Sequence, residues 1–427
     1  MGEPRMGRGF LQVLAVLLAA STMPVSSVSA APANVSLGFD SRLTSNARKS
    51  FQDEVVDVES RLLLGISHSS DTGRCDSDLI SQARYERWLD ETFDPEVAGY
   101  LNFIADCSLG SNVVWRFEDY LDDVLQSSRA AGTPDQESQK NIFRTGPIVT
   151  FRLTSVDDLF FSLQYENTEY REPSFTDGNR YTGTVGWNHS FSQSFTAGLS
   201  ASAERAILDT EEEIDKLTLS IPLTKEWAAT RMAGSIGYSL LETSFIDRVQ
   251  ESEGFVGSFS LLRDINPTTS LSIEASSELT DQTSDFDVRF GEVIFDLEET
   301  SAVQVSAIQI KLEKRFGAGS SLSGILFANQ TDYLDIGNQE TGEGVRVEFL
   351  QPITRQMNAR FEGSYDNRSY TVDETEDQGL RGVAGIDFRL NSQLEFVSQF
   401  GFEQRRSDVD NRGYDEAWFL FGLEYNL

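Results

Sequence analysis

Two histidines, His68 and His189, and two cysteines, Cys75 and Cys107, are all that 427 residues supply of the side chains most used in nucleophilic and metal-assisted chemistry. An acyl hydrolase needs a serine, a histidine and a polar orienting group gathered at one place. His68 and His189 both fall beside short polar turns, away from the long acidic segments where such a site would be built. No catalytic constellation, metal-ligand spacing or cofactor motif emerges, so the expectation is a protein that performs no chemical step, with no cofactor. Acidic runs such as Glu211-Glu212-Glu213 and Asp373-Glu374-Thr375-Glu376-Asp377 have the charge to hold calcium or to bridge anionic lipid through divalent ions. Neither has the spaced ligands of a calcium loop, and solvated loops are the preferred reading. The triplet Asn188-His189-Ser190 fits a glycosylation acceptor and is read as chance.

The cysteines have a plainer role. Cys75 follows a tight turn around Gly73 and Cys107 precedes another around Gly110. A hairpin of 76–89 and 97–106, closed over Asp94-Pro95, brings both to the same end, and a structural disulfide is predicted there. Two thiols that do not face each other are the alternative.

The elements that position these groups have a period of two. Val149, Phe151 and Leu153 alternate with Thr150, Arg152 and Thr154, and Phe161, Leu163 and Tyr165 alternate with Ser162, Gln164 and Glu166. The texture recurs through Leu217, Leu219, Ile221 and Leu223, through Met357, Ala359 and Phe361, and through Leu394, Phe396, Phe400 and Phe402. A soluble sandwich shows the same alternation, so the connections decide. Short ones (155–158, 192–194, 228–231, 264–269, 317–321, 353–356 and 391–393) alternate with longer acidic ones (209–215, 280–300, 335–344, 373–378 and 407–415). Short inner turns and longer outer loops are the asymmetry of an outer-membrane barrel.

Composition agrees. Past the first thirty residues no apolar run is long enough for a spanning helix, and no linker divides the chain. The net charge of −33 excludes nucleic acid as a partner. Arg5 and Arg8, the apolar run from Phe10 to Ala20, and Val28-Ser29-Ala30 read as a cleaved signal peptide over 1–30. The fold expected for 31–427 is all-β: a single antiparallel up-and-down barrel of about 20 strands, within 18–22, in the outer membrane of a Gram-negative bacterium after Sec-type export. Trp187, Phe191, Phe195 and Trp227 near short turns fit an interfacial aromatic girdle.

The final segment puts Ala417, Phe419, Phe421, Leu423, Tyr425 and Leu427 on one face with Gly422 among them. Gly422, Tyr425 and Leu427 resemble the terminal signal that barrel-assembly machinery reads, with Leu427 in place of the common Phe. The second face supplies lumen candidates: Arg152, Lys216, Arg346, Glu348, Arg360, Glu362, Arg381, Asp387, Arg389, Glu395 and Glu403. These either filter solutes by charge or pair across strands to brace the interior. The stretch before the first strand is too short for a globular plug, and only the loop at 280–300 is long enough to fold inward.

Ser36-Leu37-Gly38-Phe39-Asp40, Tyr85-Glu86-Arg87-Trp88-Leu89-Asp90 and Trp115-Arg116-Phe117-Glu118-Asp119 carry a resemblance to β-barrel porins. More narrowly, the chain resembles the outer-membrane proteins associated with exosortase and exopolysaccharide gene clusters. The resemblance implies a role near polysaccharide export and no catalytic residues. The function expected is a channel for a polar solute or polymer, with a sealed barrel displaying acidic loops as the alternative. Expected partners are outer-membrane lipid and lipopolysaccharide, the barrel-assembly machinery, and polysaccharide or export-machinery components.

Overall fold

The computed structural model describes residues 33–427 apart from 72, 246–247 and 298–301, so the leader expected over 1–30 lies outside the described residues. Alternating apolar and polar side chains, with only 10 prolines in the chain, leave extended backbone as the consistent local choice. Twenty strands result. The first five are β1 (Asn34–Thr44), β2 (Asp57–Ser70), β3 (Cys75–Trp88), β4 (Glu96–Ser108) and β5 (Val113–Leu125). Next come β6 (Glu137–Arg152), β7 (Asp157–Tyr170), β8 (Gly178–Ser192), β9 (Phe195–Leu208) and β10 (Glu213–Trp227). Then follow β11 (Thr230–Ser244), β12 (Val249–Asn266), β13 (Thr269–Thr280), β14 (Val303–Arg315) and β15 (Ser321–Tyr333). The last are β16 (Asn338–Pro352), β17 (Met357–Tyr370), β18 (Thr375–Arg389), β19 (Leu394–Ser407) and β20 (Tyr414–Asn426). A four-residue helix, α1 (Phe286–Arg289), interrupts the β13–β14 connection.

Each strand pairs antiparallel with the next, and β20 returns to β1 through Ser36↔Asn426 to Thr44↔Trp418, so the sheet closes. Closure removes both edges. At the seam, a Cβ on Gly422 would meet the Asp40 Cβ at 2.9 Å, and Leu427 N–H donates to the Val35 carbonyl at 2.9 Å. Gly422 therefore has a packing reason to be glycine.

The two faces separate cleanly. On β10, Leu217, Leu219 and Ile221 are each more than half exposed on the outside, while Lys216 and Thr218 point inward. Leu163, Ile236, Phe400 and Phe421 continue the same apolar exterior around the barrel. That is the surface of a barrel immersed in lipid. At the short-turn end, Phe191 stacks on Phe195 with centroids 5.4 Å apart, Trp187 is exposed on the same strand as Phe191, and Trp227 is exposed at the end of β10, which pairs with β9 through Lys225↔Phe195. Cys75 lies opposite Cys107 in the β3–β4 register, and the two form a disulfide with a Cα–Cα separation of 3.9 Å. In the chain-entropy account, closing a separation of 32 residues disfavours the unfolded state by roughly 3–4 kcal/mol.

Several acidic stretches read as loops are partly strand. β10 starts at Glu213, β16 at Asn338 and β18 at Thr375, leaving connections of only 209–212, 334–337 and 371–374. The ladder continues beyond the apolar belt because polar side chains on both faces suit water while backbone pairing goes on. Arg205 and Asp215 show the result, joined across the outer face by bonds of 2.7 and 2.6 Å.

Replacing Gly422 with Val forces the β1–β20 seam apart. Overpacking of this kind costs about 1–3 kcal/mol, and the variant is expected to show less of the compact, heat-modifiable band on gels of unheated membranes than wild type. An unchanged folded fraction would show that the seam tolerates the added carbons.

Candidate functional site

A circumference of twenty strands encloses more space than the inward side chains of a wall can fill. The described part of the β13–β14 connection, 281–297, enters that space. Its apolar side chains Phe286, Phe290, Val293, Phe295 and Leu297 form a buried cluster with Val303 and Val305 of β14, Tyr170 of β7 and Tyr333 of β15. Backbone contacts fix its far end: Leu297 N–H donates to the Gln126 carbonyl at 3.0 Å, and Asp296 N–H donates to the Tyr333 hydroxyl at 2.8 Å.

Charge fixes the near end. Lys140 of β6 is fully buried, and its ammonium donates to both Asp287 carboxylate oxygens at 2.9 Å, to the Ser284 carbonyl at 2.6 Å and to the Gln282 carbonyl at 3.2 Å. The Tyr170 and Phe295 rings lie 5.6 and 5.8 Å from the same nitrogen. A buried ion pair alone seldom outweighs its desolvation. Here every donor of the ammonium has an acceptor, the condition under which such a pair holds. Arg180 of β8 donates to Asp281 at 2.8 Å, to Thr283 at 3.0 Å and to Glu166 at 3.1 Å, and also binds Glu204. Arg144 of β6 joins Asp285 at 2.8 Å and Glu166.

The loop carboxyls titrate accordingly. For Asp281 burial pushes the pKa upward, but the Arg180 guanidinium prevails and holds it below its ordinary value of 3.8. Asp285 behaves alike through Arg144. Asp287 goes the other way, because burial outweighs Lys140.

The space left beside the loop holds a cavity of about 340 Å³ among Lys49, Arg346, Asp377, Arg381, Glu403 and Arg405. Lumen candidates from the sequence fall into two groups, all on strand faces opposite the apolar exterior. Lys216 pairs with Glu204 at 3.0 Å, Arg360 with Asp387 at 2.9 Å, and Glu403 with Lys49 at 3.0 Å. Arg346 binds Glu292 of the inward loop at 2.6 Å. Arg152 lies at the short-turn end, 78% exposed, 3.3 Å from Asp158. Glu348, Glu362, Arg381, Arg389 and Glu395 make no ion pair within 4.0 Å among the described residues. Glu348 and Glu362 stand directly opposite each other in the β16–β17 register.

The cations that hold the loop, Lys140, Arg144 and Arg180, were not singled out in the sequence. Lys140 and Arg144 share the parity of Arg152 on β6, which is the signal that identifies their face. Their partners on the loop lie more than 100 residues away, and no local spacing reveals that. His189 bonds Asp157 at 2.8 Å at the short-turn end, where His68 also lies, so neither histidine joins this cluster.

Two outcomes follow from the anchorage. Asp281 and Asp285, having lowered folded values, favour docking fully above about pH 4 and lose that contribution as pH falls through the folded values; Asp287, raised, works against them. Pepsin is therefore expected to cut at Phe286 or Phe290 only below about pH 4, and Asp281→Asn to extend cleavage upward in pH. Lys140→Met leaves Asp287 uncompensated, a cost of about 3–5 kcal/mol limited by release of the loop. It should let chymotrypsin cut at the same phenylalanines at neutral pH, and a protected loop in that variant would deny Lys140 its role.

No protein-family model matches the chain, and no curated protein matches it. Among solved structures it is similar to the FrpB iron transporter from Neisseria meningitidis, F3-3 variant, at 9% identity and TM-score 0.45, over 92% of this chain and 81% of that one. It is also similar to the siderophore receptor PirA from Pseudomonas aeruginosa, at 10% identity and TM-score 0.44, over 94% and 81%. The outer membrane protein opdK from Pseudomonas aeruginosa is similar at 10% identity and TM-score 0.41, over 93% and 99%.

Proposed function

We propose that the chain is an outer-membrane channel through which a polar solute or an extended polar polymer passes without a chemical step. The observation that carries this reading is a wall of unpaired, water-facing charges on β16–β19 beside an inward loop that narrows the lumen without filling it. Twenty strands exceed the number at which barrels leave an aqueous interior. An ion or polar group moving past Arg381 and Glu362 exchanges water for fixed charges of both signs, which selects by charge and by size at the narrowing. The exosortase-type resemblance makes an exopolysaccharide the polymer to try first.

The anchored loop is also what favours the second reading, a barrel sealed by its own insertion that serves to display acidic loops. Planar bilayers separate the two. Wild-type protein is expected to give discrete conductance steps, and replacing 282–297 with a short Gly-Ser link to raise the step about twofold or more. Arg381→Glu is expected to shift the reversal potential in a salt gradient toward cation preference. Silence from wild type with conduction after the replacement means a sealed barrel, and silence from both ends the channel reading.

A further inference from the structure

Besides the β20–β1 seam, where 414–417 run past Thr44 while Ser45 N–H and the Asn46 side chain donate to the Ala417 and Asp415 carbonyls, pairing around the wall stops short at the long-loop end of two seams. Between β4 and β5 it ends at Leu101↔Leu121, leaving 96–100 and 122–125 without partners across that seam. The freed Val97 and Gly99 carbonyls there accept from the Arg171 and Gln139 side chains at 3.1 and 3.2 Å. That seam is closed by side chains.

The second seam is not. Pairing of β12 with β13 ends at Gly257↔Ser277, while β12 runs on through 249–256 bonded to β11 alone. β13 tips into the barrel, where buried Leu279 packs against Ala206, Leu208, Ile214 and Leu241 of β9, β10 and β11. Among the described residues no side chain or loop bonds to the backbone of 249–256. Alternate residues of an antiparallel strand aim both backbone groups at the vacant side, so this edge presents roughly four N–H and four C=O groups. An open edge does not survive in hydrocarbon. Phe255, 78% exposed, meets Tyr238 edge to face at 5.3 Å on the outer surface, and Glu253 and Glu251 follow it outward. Aromatic rings followed by carboxylates mark the bilayer boundary, which puts Phe255 at it and 249–254 in water beyond it.

The charge on this edge identifies what it fits. Glu242 and Glu251 are directly opposite in the β11–β12 register, an unfavourable arrangement, and neither they nor Glu253 make an ion pair within 4.0 Å among the described residues. A second copy added edge to edge would set these carboxylates against their own kind. We propose that residues 249–256 of β12 are a strand-addition site for an extended segment of a partner protein that carries Lys or Arg at alternate positions. Backbone pairing would supply the affinity, and cations on the outward face of the added strand would meet Glu251 and Glu253.

The test uses full-length protein folded in detergent micelles and a fluorescein-labelled peptide alternating Lys with Val and Thr, followed by anisotropy. Wild type should bind it, and a peptide with Glu in place of Lys should not bind. N-methylating one set of alternate amides should weaken binding about tenfold or more, and methylating the other set should change it little, because only one side of an added strand meets β12. Glu251→Gln with Glu253→Gln, checked for folding by heat-modifiable migration, should weaken binding severalfold at low salt and less at high salt. Absence of binding, equal sensitivity to both methylation patterns, or indifference to the Glu substitutions would overturn the proposal. So would a wild-type dimer in the micelles that competes with the peptide, since the edge would then belong to a second copy.

Discussion

Backbone amides that face lipid must find their hydrogen bonds within the protein, and nearly everything in this molecule answers that one requirement. Twenty strands meet it by closing through β1 and β20. Closure then dictates the side-chain code, because a strand in such a wall has one face toward lipid and the other toward the interior. Leu217 and Ile221 stand on the first, Lys216 and Thr218 on the second. It also creates a new problem, since a ring this wide leaves an interior that its own side chains do not span.

The inward loop meets that problem with charge as well as grease, and the wall explains why. The faces of β6 to β9 that receive it are polar by virtue of the alternation, so docking must satisfy Lys140, Arg144, Arg180 and Glu204 rather than simply cover them. Ions taken out of water in this way repay their desolvation only with complete hydrogen bonding. Lys140 reaches two carbonyls and a carboxylate at once. The apolar half of the loop, Phe286 to Leu297, packs instead where β14 presents Val303 and Val305 inward, an exception to the polar interior that matches the insertion.

Much of this was legible in the sequence because period two is a direct image of the pleat. Strand number and the facing of Cys75 and Cys107 follow from alternation and turn spacing, and the length of 280–300 marks a connection with reach enough to fold inward. Strand ends were less legible: above the apolar belt β10, β16 and β18 keep their ladders with polar residues on both sides, so the hydrophobic signal fades before the backbone pairing does. The partners of the lumen charges were not legible at all. Lys140 and Asp287 are 147 residues apart, and Arg180 and Asp281 are 101 apart; such pairs depend on where a loop docks, and no local pattern encodes it. For the same reason the split between bracing residues such as Arg360 and unpaired ones such as Arg381 emerges only from the folded wall.

Where the charge sits matters more than its sum. The net charge is −33, yet the cavity beside the loop balances Lys49, Arg346, Arg368, Arg381 and Arg405 against Glu137, Asp366, Asp377 and Glu403. The surplus of acid is carried in good part by the long-loop rim, on segments such as Glu211-Glu212 and Asp373-Glu374. Two charges 4 Å apart interact by about 1 kcal/mol in water but about 4 kcal/mol at the effective dielectric of a partly buried site. Rim carboxylates therefore repel weakly and are screened within about 8 Å in physiological salt, whereas Arg381 or Glu362 inside the barrel acts on a neighbouring charge at several times that strength. In the channel proposed above, selectivity is therefore expected to follow the local sign of the lumen wall, while the acidity of the whole chain bears on solubility.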